Sequence, residues 1–169
     1  MPETTRFAAL LECYEREIYR FVFRLTGNPE DAADLLQDTF LKAFKAFARL
    51  PVDANHRAWL YRIAHNEALN LFRSRTVRAT VPLELAASVA GGTEDDPDSL
   101  EETRRLARAL GDVIRKLTPR QRSALLLKKY EGLSYGEVAS VLRCSEENAR
   151  AQVYQAMKKI RNGLKQERR

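Results

Sequence analysis

The sequence predicts an all-α chain built as two small helical domains joined by a flexible acidic linker. Three observations carry that prediction. Apolar residues recur at helical spacing in both halves, with no alternating strand pattern between them. Helix-start signals stand at Asn28-Pro29, Thr118-Pro119 and Ser134. Composition then breaks at residues 77–103, where small residues, a Gly pair, two Pro and clustered acids leave no continuous apolar period. A structureless stretch of about 20 residues is unusual inside one compact domain, so a tether between two domains is the better account. The predicted boundaries are a domain over 1–76, a linker over 77–103 and a second domain over 104–169.

In the first half, Phe7, Leu10, Leu11, Tyr14, Ile18, Phe21, Val22 and Leu25 form the stripe of an amphipathic helix over 5–25. Asn28 caps a second helix with Pro29 at its first position, and Glu30 and Asp31 place negative charge on the positive end of its dipole. Ala33, Leu36, Phe40, Ala43, Phe44 and Phe47 give it one apolar stripe, which ends before Leu50-Pro51. A third helix is predicted over 57–75, with Leu60, Ile63, Ala64, Leu69 and Phe72 inward.

The second half opens with a helix over 99–117 carrying Leu106, Leu110, Val113, Ile114 and Leu117. Thr118-Pro119-Arg120-Gln121 is a capping box that starts a short helix to Tyr130, and Gly132 stops it. Ser134 to Glu137 is a second capping box, for a helix burying Val138, Ala139 and Leu142. Ser145 caps another after only Arg143-Cys144, which is the spacing of a helix-turn-helix.

The net charge of +6 conceals a strong polarity along the chain. It is +1 over 1–76, −6 over 77–103 and +11 over 104–169. A segment at +11 suits polyphosphate, because each neutralised phosphate releases condensed counterions; a solvated basic face is the plain alternative. No apolar run reaches the roughly 18 to 20 residues of a membrane span, and no secretory leader is evident, so the expected compartment is the cytoplasm, without membrane insertion. Cys13 and Cys144 are isolated and only two His are present, so neither a disulfide framework nor a zinc site is supported. The sequence offers no catalytic constellation and no cofactor motif.

In a helix-turn-helix the second helix enters the major groove. Here Ala149 and Val153 face inward, leaving Glu146, Asn148, Arg150, Gln152, Tyr154 and Gln155 outward, followed by Lys158, Lys159 and Arg161. A surface helix of an ordinary bundle would also be polar outside; the short turn, the two caps and the charge favour DNA.

Three segments, in order, make the chain resemble a bacterial extracytoplasmic-function (ECF) sigma factor of the sigma-70 family. DAADLLQDTFLKAF, 31–44, is similar to the region that docks on the coiled coil of the polymerase β′ clamp. AWLYRIAHNEALNLFRSR, 58–75, is similar to the region that reads and opens the minus-ten element. LTPRQRSALLLKKYEGLSYGEVASVLRCS, 117–145, with the helix after it, is similar to the region that reads the minus-thirty-five element. The resemblance implies a non-enzymatic initiation factor partnered by core RNA polymerase, through the β′ clamp and the β flap, and by promoter DNA, duplex and single-stranded. It also implies an anti-sigma factor as regulator.

Candidate residues follow by position. For polymerase docking they are Asp31, Asp34, Leu35, Gln37, Asp38 and Leu41, an acidic polar stripe beside apolar residues that suits a basic helical partner. A solvated face or a carboxylate metal site are the competing readings, and no His or Cys joins that helix to support the metal. For minus-ten DNA they are Arg57, Trp59, Arg62, Asn66, Asn70 and Arg73, with Tyr61 as further aromatic area: rings to stack on unpaired bases, amides to hydrogen-bond them and guanidinium groups for phosphate. Trp59 is equally compatible with core packing. Asn66 matches the position that binds a flipped base in the family, and a helix interior gives no structural reason to prefer Asn. For minus-thirty-five DNA the candidates are Ser145, Asn148, Arg150, Gln152, Tyr154, Gln155 and Lys158. His56 and His65 read as surface or partly buried residues without a special role. The linker's acidity fits either a nucleic-acid mimic in a basic polymerase channel or an ordinary soluble tether.

The chain departs from the family pattern at the turn, with Arg143 where Gly is usual, and at Ala149, where Val is usual. Gln152 and Gln155 stand where Arg is frequent, and Glu146 and Glu147 open the helix, so the bases read at minus thirty-five are expected to differ from those of relatives. Two rival readings are a free-standing helix-turn-helix regulator and a small metal-dependent hydrolase; the mix of residues from Trp59 to Arg75 weighs against the first, and the lack of a His-carboxylate cluster against the second.

Overall fold

The structure is a computed structural model that describes residues 1–74 and 97–167. Arg75 and the linker positions 77–96 lie outside the described residues. Seven helices are described: α1 (Glu3–Thr26), α2 (Pro29–Phe47), α3 (His56–Ser74), α4 (Pro97–Arg115), α5 (Pro119–Lys129), α6 (Tyr135–Leu142) and α7 (Glu146–Glu167). Because α4 starts at Pro97, the last seven positions assigned to the linker are helical. Thr103 among them is buried, so the second unit begins earlier than its basic composition suggested.

Caps set the helix ends, those at Asn28, Thr118 and Ser134 as predicted. Gly27 closes α1 at φ 67°, its N–H donating to Phe23 O at 2.8 Å. Asn28 Oδ1 accepts from the N–H groups of Glu30 and Asp31 at 2.8 and 3.2 Å, starting α2. Both capping boxes, at Thr118/Gln121 and Ser134/Glu137, are fully made. The Ser134 N–H, helped by the Asn55 amide, holds the Glu137 carboxyl below its ordinary range.

In the first unit α1, α2 and α3 bury Ile18, Phe21, Val22, Leu25, Ala32, Leu35, Phe40, Ala43, Phe47, Leu60 and Ala64. The buried stripe of α2 is rotated from the predicted one. It runs Ala32, Leu35, Thr39, Phe40, Ala43 and Phe47, while Ala33 and Phe44 are exposed. Thr39 hid this face: its hydroxyl donates to Leu35 O at 2.6 Å and can therefore be buried among apolar neighbours. Leu36, Phe40 and Phe44 instead line an open apolar groove of about 440 Å³ with Phe7, Leu11 and Tyr19 of α1.

In the second unit Leu110, Ile114, Leu117 and Leu125 pack with Ala156, Ile160 and Leu164 of α7. The remaining apolar face of α5 and α6, with Leu126, Leu127, Leu133, Val138 and Val141, joins the core of the first unit. The two helical units thus share a continuous core, with α3 packed on α6 and α1 on α5. That accounts for a third helix buried on two sides. Tyr61, His65 and Ala68 are buried as fully as Leu60 and Ala64.

Candidate nucleic-acid and polymerase interfaces

The helix-turn-helix is α6, the three-residue turn Arg143, Cys144 and Ser145, and α7. Arg143 closes α6 in the left-handed region at φ 52° and ψ 53°, and the Cys144 N–H donates to Ala139 O at 3.0 Å. Ser145 Oγ accepts from the Asn148 N–H at 3.1 Å, which caps α7. Ala149, Val153 and Ala156 face the core. Asn148, Arg150, Tyr154, Gln155 and Lys158 are exposed, as is Ser145, and Gln152 is half-buried. All seven candidate residues therefore lie at the start of α7 or on the part of its surface that the core leaves uncovered. Arg150 is oriented by a 2.8 Å ion pair with Glu146 and by stacking on the Tyr135 ring at 4.3 Å. The Gln152 amide donates to Asn148 Oδ1 at 3.4 Å.

On α3, Trp59, Arg62 and Asn66 are half-buried, and Asn70 and Arg73 are exposed, with Arg73 Nη1 donating to Asn70 Oδ1 at 3.5 Å. Asn66 makes no hydrogen bond with another described residue, so its amide is available to a base. Arg57 is not. Its Nε donates to Glu17 and its Nη2 to Glu131 O at 2.6 Å. Tyr61 offers no aromatic surface either, being fully buried with its ring edge-on to Phe21. Its hydroxyl lies 2.7 Å from Glu17 Oε1 and 2.9 Å from Glu131 Oε2, and burial together with these carboxylates keeps the phenol protonated, far above its ordinary range.

On α2, Asp34, Gln37, Asp38 and Leu41 are exposed, and Leu41 and Phe44 form the rim of the α1–α2 groove. Asp31 and Leu35 are buried, at 8% and 5% exposure, and so leave the docking stripe. The rotation of the α2 core face is the reason. Lys42 pairs with Glu67, tying this helix to α3.

Sequence reasoning missed a polar cluster between the units. Arg24 donates to Glu131 Oε1 at 3.0 Å and stacks on Tyr130 at 4.3 Å. His65 Nδ1 and Ser123 Oγ share a 2.8 Å hydrogen bond, and burial, with Arg120 nearby, pushes the imidazole down to about 4. His65 is therefore a buried contact between units rather than a surface residue. Arg122, buried, donates from Nη1 to Leu25 O at the end of α1 at 3.3 Å and lies over the Phe72 ring. The available signal was a charge on an apolar flank: Arg24 between Phe21, Val22 and Leu25, and Arg122 ahead of the run Ala124 to Leu127.

No described helix is long and apolar enough to cross a membrane. Residues 10–78 match the Sigma-70 region 2 family and residues 107–160 the Sigma-70, region 4 family. The RNA polymerase sigma factor YlaC of Bacillus subtilis (strain 168) is 28% identical over 155 residues, covering 92% of this chain and 90% of its own length. The ECF RNA polymerase sigma factor SigW of the same organism is 26% identical over 170 residues, covering 94% and 89%. The fold is shared with the sigma factor RpoE, solved in complex with the anti-sigma factor NepR from Bartonella quintana, at a TM-score of 0.69 and 22% identity over 95% of this chain and 97% of that one. It is shared likewise with CnrH, solved in complex with the cytosolic domain of CnrY, at 0.68 and 24% over 96% and 89%. With both sigma regions matched in chain order and relatives aligned over nearly their full length, the chain belongs to the sigma-70 family, as an RNA polymerase sigma factor of the extracytoplasmic-function class.

Proposed function

We propose a division of labour among three helices. The exposed acidic stripe of α2, Asp34, Gln37 and Asp38 with Leu41 beside the apolar groove, docks on a basic helical surface of core polymerase. The half-buried and exposed side chains of α3, Trp59, Arg62, Asn66, Asn70 and Arg73, hold the opened minus-ten strand. Helix α7 reads the minus-thirty-five duplex with Ser145, Asn148, Arg150, Gln152, Tyr154, Gln155 and Lys158. The observation that carries this reading is the joint presence, on one chain, of a helix-turn-helix with an open outer face and a separate helix whose Asn66 amide is unengaged by described residues. The factor works in the cytoplasm, where its polymerase is, and performs no covalent chemistry. An anti-sigma factor regulates it, as a structural relative carries one, and the apolar α1–α2 groove offers such a partner a seat.

Purified chain added to core polymerase should give promoter-directed transcripts from a subset of genomic fragments. Asn66→Ala should impair strand opening, read by permanganate reactivity of unpaired thymines, and leave upstream duplex binding unchanged. Loss of both together would remove Asn66 from the opening role. Duplex binding without any transcript would favour a free-standing regulator.

A further inference from the structure

We propose that Tyr135, the first residue of α6, is a positioning residue for duplex reading: its ring holds the Arg150 guanidinium in the orientation in which that group meets the duplex. The inference rests on the assignment of Arg150 to the duplex-reading face of α7. Tyr135 stands outside that set of residues, on the helix before it. Its side chain is half-buried and packs against the core, so the ring is a fixed surface. The Arg150 Cζ lies over this ring at 4.3 Å from its centroid, and Lys128 of α5 brings its Nζ to 4.4 Å from the same centroid. The ring thereby ties the reading helix to both helices that precede it. Its hydroxyl makes no hydrogen bond with another described residue, so within the protein the tyrosine acts on Arg150 through its ring.

Two groups hold Arg150, and they differ in what they leave free. A guanidinium is planar and directs its N–H donors outward from its edges. Glu146 occupies an edge, accepting from Nη2 at 2.8 Å, and so competes with any acceptor of the duplex. The Tyr135 ring occupies the face and consumes no donor. Ring contact and duplex contact can therefore coexist, while the ion pair must yield. With the Arg150 and Glu146 side chains 57% and 55% exposed, that pair is well solvated and readily exchanged. An arginine so exposed would otherwise sample many rotamers and would have to be ordered at each encounter with DNA. The ring orders it beforehand, which removes part of the entropic cost of binding.

The test titrates the full chain against a fluorescein-labelled duplex that the wild type has selected from a randomised pool. Tyr135→Leu keeps apolar bulk toward the core and removes the ring. It should weaken binding about threefold to fivefold, the worth of an exposed cation–π contact, whereas Tyr135→Phe should bind as the wild type does. In an Arg150→Ala background Tyr135→Leu should have no further effect. Tyr135→Met, which also lacks a ring, takes the place of Tyr135→Leu if that variant melts below the assay temperature. Two other roles for the tyrosine give different results. A hydroxyl that itself bound the duplex would be lost in Tyr135→Phe as fully as in Tyr135→Leu. A side chain that only supported the fold would weaken binding equally with and without Arg150. Either result would overturn the proposal. A loss from Arg150→Ala with none from Tyr135→Leu would overturn it too, leaving Arg150 as a reader. No loss from Arg150→Ala would remove Arg150 from the reading face and the role of Tyr135 with it.

Discussion

The Glu131 carboxylate sits 3.0 Å from the Arg24 guanidinium across 107 residues of chain, and the two partners are unequally protected. Arg24 is a fifth exposed and keeps the Tyr130 ring if its partner is lost, whereas Glu131 is almost wholly buried. Arg24→Ala should therefore cost more than Glu131→Ala: about 3 kcal/mol against about 1 kcal/mol, limited in either case by the free energy that holds the two units together. A double-mutant cycle in urea checks this, and Arg24→Ala/Glu131→Ala should recover part of the Arg24→Ala loss. Equal single losses that simply add would show that the two groups are not coupled.

Acid should loosen the same interface. His65 titrates at about 4 in the folded chain against about 6.5 when unfolded, because burial disfavours the imidazolium. A depressed histidine pKa means that the unfolded chain takes up the proton first. Its contribution is complete above about pH 6.5 and falls as pH drops toward 4, by about 3 kcal/mol in all. Thermal melts from pH 7.5 to 4.5 should show a steeper loss for the wild type than for His65→Gln. Parallel curves would assign the acid sensitivity elsewhere.

Arg143 is the only described non-glycine residue at positive φ. A side chain in that region costs roughly 1 kcal/mol, and its own is exposed without a described hydrogen bond. Arg143→Gly should raise stability by about 0.5 kcal/mol, the gain being reduced by the greater freedom of glycine in the unfolded chain. A fall in the urea midpoint would mean that the arginine makes a compensating contact.

The helices, both capping boxes and the outward face of α7 were legible because each follows from local chemistry: a cap, a proline, a period. What stayed hidden was long-range. The rotated core face of α2 depended on Thr39 satisfying its own hydroxyl within the helix, which lets a polar residue occupy a core position and moves Asp31 and Leu35 inside. The withdrawal of Arg57 and Tyr61 depended on Glu17 and Glu131, whose distances from α3 in sequence carry no periodic signal. Composition located the two units but not their contact, because charge reports on surfaces, and the shared core is made by apolar residues on α3, α5 and α6 that each unit alone would also need.

Gly163 of α7 lies against Val113 of α4. A Cβ there would lie 2.3 Å from Val113 Cγ2 and 3.1 Å from its Cγ1. Valine is branched and stiff, so α4 and α7 must separate to admit it. Gly163→Ala gains about 1 kcal/mol of helix propensity but loses about 1–3 kcal/mol to overpacking, for a net destabilisation. Adding Val113→Ala should remove the clash and let the propensity gain appear, which denaturation of the four chains would measure.

Salt dependence should separate the two cations proposed on the duplex-reading face. Lys158 is exposed and forms no described ion pair, so its contact with a phosphate releases a counterion in full. Lys158→Ala should flatten the slope of log affinity against log salt by about 0.9. Arg150 is already paired with Glu146, so binding first exchanges one anion for another. Its removal should change the slope less, because it also leaves Glu146 to repel the backbone. It follows that Glu146→Gln should tighten duplex binding at low salt, in the wild type by freeing Arg150 and in an Arg150→Ala background by removing the charge that repels the backbone. Titrations of labelled duplex at several salt concentrations test the set, and an unchanged slope for Lys158→Ala would move the phosphate contact off this part of α7.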